Sequence, residues 1–69
     1  MDNIIKVDSV DEENTNILLL RLVERFRREK HRFLTDHEKN ICWWNILGVV
    51  MRDGYDAGKE YVSKIPLSD

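Results

Sequence analysis

One proline, one cysteine and three glycines are spread over 69 residues, and each scarcity narrows what the chain can be. A single cysteine excludes an intramolecular disulfide, and Cys42 lies inside an apolar run, where a buried reduced thiol is the expected state. His31, His37 and Cys42 are the only histidine and cysteine ligands, and their spacing fits no zinc pattern, so neither a metal nor another cofactor is expected. Few glycines and prolines leave little turn chemistry, and no second β-branched alternating run exists to pair with the Ile4, Ile5 and Val7 cluster. No apolar stretch approaches the ~20 residues needed to cross a bilayer. The start, MDNIIKVDSVDEEN, lacks the basic and apolar pattern of a signal peptide. The expectation is a cytoplasmic protein, or a nuclear one in a eukaryote, without membrane contact.

Charge of one sign does not dominate. The formal net charge is −2 with 35 % charged residues, which excludes a bulk polycation. Segments differ, however. Residues 1–13 hold one lysine against five acids, residues 14–34 six basic side chains against two acids, and residues 35–69 four against six. A basic segment is therefore hidden in an acidic average.

What the chain does have is helix chemistry. Ser9 and Glu12 are spaced as a capping box, with Asp11, Glu12 and Glu13 in the first turn at the positive end of the helix dipole. From there to Leu34 the chain has neither Gly nor Pro, and Leu, Arg, Glu and Lys are good helix formers. A first helix is expected over about 10–34, with Leu19, Leu22, Val23, Phe26 and Phe33 as its apolar stripe. Thr35 and Glu38 form a second capping box, which implies a tight corner after Leu34 unless one helix runs straight through.

The organising stretch is Ile41 to Met51, with nine apolar residues in eleven. At ~100° per residue its side chains point in every direction, and a helix apolar all round has to be buried all round. Ile41, Trp44, Gly48, Met51, Tyr55, Gly58, Val62 and Ile65 alternate in steps of three and four, an a/d series. That series predicts a second helix over about 36–65, continuous or kinked, ended by Pro66; the alternative is a break at Asp53-Gly54. The expected fold is all-α: an extended acidic arm over 1–8, then one helical domain over 9–69 forming an antiparallel hairpin. The a/d side chains would form its seam, with Trp44 in the core. Trp43, Ile46, Val49 and Val50 would then remain outside, a surplus that pairing into a four-helix-bundle-like dimer would cover.

Four arginines, Arg21, Arg25, Arg28 and Arg32, follow one another in steps of four, three and four on one helix face. Their planar donors suit phosphate or carboxylate, so they are the candidate ligand or partner site. The competing reading is a solvated face laced by Glu24 and Glu29. No aromatic residue interleaves the stripe for base stacking. Trp43-Trp44 is either a partner hot spot or core plus dimer closure. His31, Asp36, His37 and Glu38 cluster at the corner, but no nucleophile or phosphate-binding loop accompanies them, so no catalysis is expected. The function expected is that of a small non-enzymatic regulator or inhibitor that self-associates, as a dimer, and binds another macromolecule, a protein partner foremost. The alternative is nucleic-acid or nucleotide binding by the arginine stripe.

Overall fold

In the computed structural model, which describes residues 9–67, three helices follow one another: α1 (Ser9–Lys30), α2 (Asp36–Asp53) and α3 (Tyr55–Lys64). The acidic arm expected over 1–8 lies outside the described residues. The position preceding Ser9 lies there too, and Ser9 is itself the first residue of α1.

α1 opens on Asp11 and Glu12 and closes on Arg27, Arg28 and Lys30, charges that oppose the dipole at both ends. It stops four residues before the expected Leu34 although no glycine or proline enforces the stop. His31 takes a left-handed conformation at φ 60°, and its N–H donates to the Arg27 carbonyl at 2.9 Å. That is an αL cap formed by a residue other than glycine. A five-residue connection, 31–35, therefore replaces the near-absent loop. It also takes Phe33 off the helix, so the register that placed Phe33 under Phe26 no longer applies. Phe33 is 62 % exposed, with the Arg27 guanidinium 5.4 Å from its ring centre, and Leu34 is buried in its place.

The second capping box forms in full. Glu38 N–H donates to Thr35 Oγ1 at 3.1 Å, and Thr35 N–H donates to Glu38 Oε1 at 2.8 Å. Two donors that the first turn leaves without helical partners are thereby satisfied.

The hairpin with one long second helix is not what forms. Gly54 breaks it at φ 94°, ψ 175°, a conformation that only glycine adopts without strain. Its N–H still closes α2 on the Val50 carbonyl at 2.9 Å, and its carbonyl accepts from Gly58 N–H at 3.1 Å to start α3. α3 folds back so that each helix packs against both others. This return supplies the cover that a two-helix hairpin lacks. Ile46 and Val50, expected outside the seam, are buried at 0 % and 3 % exposure among Leu18, Leu22, Phe26, Leu34 and Val62. Each such side chain is worth about 1.5–3 kcal/mol of hydrophobic stabilisation. Leu19 and Val23 are half-buried flanks rather than the centre of the α1 stripe, which is Leu18.

At Gly58, α3 packs tightly against side chains of both other helices. A Cβ there would stand 2.6 Å from Leu18 Cδ1 and 2.8 Å from Val50 Cγ2. Gly48, which the a/d series places in the same seam, has no side chain and no other helix within 4 Å of the same position. Thr15, buried beside Leu18, donates its hydroxyl to the Asp11 carbonyl at 2.7 Å. No helix among the described residues is long and apolar enough to cross a membrane.

Candidate interaction surfaces

Three of the four arginines, Arg21, Arg25 and Arg28, lie on α1, whereas Arg32, expected on the same helix face, falls in the connection after it because α1 ends at Lys30. Arg25 reaches across to α3, where Nη1 donates to the Val62 carbonyl at 3.1 Å and the Ile65 carbonyl at 2.8 Å. Those carbonyls belong to the last turn of α3 and its cap, which have no helical partners of their own. Its Nε donates to Glu29 at 3.1 Å. Arg32 donates through Nη1 and Nη2 to the two oxygens of Glu38 at 3.2 and 3.3 Å, and lies 4.6 Å over the Phe26 ring. Two of the four are thus built into the fold: one clamps α3 to α1, the other locks the corner before α2.

Arg21 and Arg28 are exposed and, with Arg25 and Lys59, line a groove of about 590 Å³ between α1 and α3. Glu24, Asp56 and Glu60 line the same groove. Acids and bases face one another across it, which offers a polyanion little net field.

At the corner, the Arg32 guanidinium and the Thr35 backbone N–H stabilise the Glu38 carboxylate and bring its pKa from 4.5 down to about 2. Glu38 is consequently no proton donor near neutrality. His31 and His37 are exposed. Behind the corner, Cys42 lines a 210 Å³ apolar pocket with Leu22, Phe26, Leu34 and Ile65. Burial, and secondarily the Glu38 charge, push its thiol pKa up, so it stays protonated and a poor nucleophile. The Tyr61 hydroxyl is pushed up as well, first by burial. Among the described residues no group of three or more His, Cys, Asp and Glu is arranged to hold a metal ion.

Neither tryptophan forms part of the core. Trp43 is half-buried, its indole Nε1 donating to Asn16 Oδ1 of α1 at 2.7 Å. Trp44 is 57 % exposed and meets Trp43 edge-on, with ring centres 4.9 Å apart and planes at 90°. Of the surplus set, only Val49 joins Trp43 in a half-buried position.

A different apolar set stands outside. Ile41 and Met51 are each 47 % exposed, and with Trp44 and Gly48 they form the a/d series of α2 that the sequence assigned to the seam. At ~100° per residue this stripe lies roughly opposite Ile46 and Val50. α2 is apolar on two opposed faces, and the fold covers one of them. No residue from Asn40 to Met51 is charged. The periodicity of the stripe was legible in the chain; the direction in which it points was not. Arg25 was legible as a donor, but its use as a clamp on a helix 37 residues away carried no local signal.

Comparison with protein-family models, with curated proteins and with solved structures finds no match to this chain.

Proposed function

We propose that this chain is a small non-enzymatic binding protein, of the regulator or inhibitor kind, that self-associates and engages another macromolecule through its helical surfaces. The observation that carries this reading is the outer face of α2, where Ile41, Trp44 and Met51 stand exposed at a/d spacing on a helix already buried on its other side. A protein that packs its core with Ile46, Leu47 and Val50 gains nothing in folding from a second apolar face. Exposed tryptophan at the centre of such a face is the residue type that dominates binding energy at interfaces.

Binding of nucleic acid or a nucleotide by Arg21, Arg25, Arg28 and Arg32 is the weaker reading. Arg25 and Arg32 are committed to carbonyls and to Glu38, and the two exposed arginines share their groove with three acids.

The test is a photoreactive phenylalanine analogue in place of Trp44, activated in cells of the source organism. A covalent adduct at position 44 that disappears when the analogue is moved to Lys59 supports a binding face on α2. No adduct above the 8.2 kDa chain overturns the reading.

A further inference from the structure

We propose that the outer face of α2 is occupied by the same face of a second copy, with the two helices antiparallel and Trp44 of each copy seated over Gly48 of the other. This deepens the reading of α2 as a binding face and rests on it.

The spacing of the stripe carries the geometry. Ile41, Trp44, Gly48 and Met51 follow in steps of three, four and three, the same in either direction along the chain. A two-fold axis between Trp44 and Gly48 therefore brings every member opposite another member: Ile41 against the second copy's Met51, Trp44 against its Gly48. An interface of this kind has to be self-complementary, because one patch serves both sides. The side-chain sizes meet that demand. Trp44 is the largest projection on the face, and Gly48 is a notch with no side chain and no other helix within 4 Å of where a Cβ would stand. The antiparallel register puts knob into hole twice. A parallel pairing would set tryptophan on tryptophan and leave the two notches facing each other, a void that forfeits contact. Met51, unbranched and polarisable, adapts to the branched Ile41 opposite.

Charge favours a second copy over a partner selected by charge. The helix carries no charged residue from Asn40 to Met51, in a chain that is 35 % charged. Self-pairing thus brings no like charges together, and an acidic or basic partner finds nothing on the face to hold. Asn40 and Asn45, both exposed, give the stripe a neutral polar rim. Antiparallel alignment also sets each helix N-terminus beside the other's C-terminus, the favourable arrangement of dipoles. The stripe is only ~15 Å long at 1.5 Å per residue. It falls below the ~800 Å² per partner of a standard interface, so the pair is weak and readily reversible.

Sedimentation equilibrium of the full chain from low micromolar to submillimolar concentration is expected to give a reversible monomer–dimer transition. Trp44→Glu should weaken it by at least about 100-fold, since two buried tryptophans are lost per dimer. Gly48→Leu fills the notch and should weaken association as well, without lowering the melting temperature of the monomer. In a Cys42→Ser background, Asn45→Cys lies beside the two-fold axis and should be joined to its counterpart by a short bis-maleimide, which adds one thiol at each end, whereas Lys59→Cys should not. A chain that stays monomeric throughout, or a dimer unmoved by Trp44→Glu and Gly48→Leu, overturns the proposal. A dimer joined at position 59 rather than 45 overturns it too. The photoreactive analogue at position 44 separates this failure from that of the underlying reading. An adduct with a different protein and none of twice the 8.2 kDa chain mass ends self-pairing but keeps α2 as a binding face; no adduct ends both.

Discussion

Replacing Gly58 by alanine sets two effects of similar size against each other, and the structure says which wins. Gly58 is the fourth residue of α3, inside the helix, where exchanging Gly for Ala gains about 1 kcal/mol of helix propensity. Against that, the new Cβ would stand 2.6 Å from Leu18 Cδ1 and 2.8 Å from Val50 Cγ2, about 1 Å inside an ordinary carbon–carbon contact. The Leu18 methyl is the end of a flexible side chain, but Leu18 is 0 % exposed and has no vacant space to enter. Val50 is β-branched and confined in χ1, so it yields less. α3 has to move outward, which loosens Val62 from the core and strains the hydrogen bonds from Arg25. Because neither neighbour can yield, the cost falls in the upper part of the ~1–3 kcal/mol typical of overpacking, ~2–3 kcal/mol, leaving a net loss of ~1–2 kcal/mol. Gly48→Ala is the matched control. With no side chain and no other helix within 4 Å, it keeps the propensity gain without the clash and should raise the stability of the dilute monomer by up to ~1 kcal/mol. Urea melts at low protein concentration, read as midpoint shifts at constant slope, measure both. In a domain of this size each ~1 kcal/mol corresponds to ~4–8 °C in Tm. A Gly58→Ala protein as stable as the parent would refute the three-helix junction, and with it the placement of α3.

Arg25→Met keeps the aliphatic stem but removes the clamp on the Val62 and Ile65 carbonyls; it should cost ~2 kcal/mol and speed amide exchange in the last turn of α3 before that of α1. Equal protection in the variant and the parent would show that the clamp contributes nothing. The Glu38 carboxylate has its pKa lowered from 4.5 to about 2, so the stability it contributes is complete above pH 4.5 and is lost as pH falls towards 2. Glu38→Gln should therefore flatten the acid limb of the stability–pH curve between those values while leaving its slope near neutrality unchanged, and an unaltered acid limb would contradict the Arg32–Glu38–Thr35 network.

The chain by itself determined what depends on neighbours a few residues apart. Thr35 and Glu38 are three residues apart, so their capping box forms wherever a helix starts at Asp36. The scarcity of Gly and Pro, the acids in first turns and the long runs of helix formers made the fold all-α. Pro66, which has no N–H and fixes its own φ, left no way to continue beyond Ile65. The a/d stripe of α2 was equally legible, because periodicity is a property of the helix alone.

Only tertiary structure decided where those elements point. A helix apolar on every side has no preferred inward direction, so the same eleven residues were compatible with a core of Trp44 and Met51 or one of Ile46 and Val50. The return of α3 settled it, and that return depends on one backbone conformation, at Gly54. His31 ended α1 early for a comparable reason: a left-handed residue there lets Leu34 enter the core and Arg32 reach Glu38, gains that lie outside the helix they terminate. Arg25 belongs with these. Its position in a basic stripe is a matter of spacing, but its bonds to Val62 and Ile65 exist because a helix from the far end of the chain ends beside it.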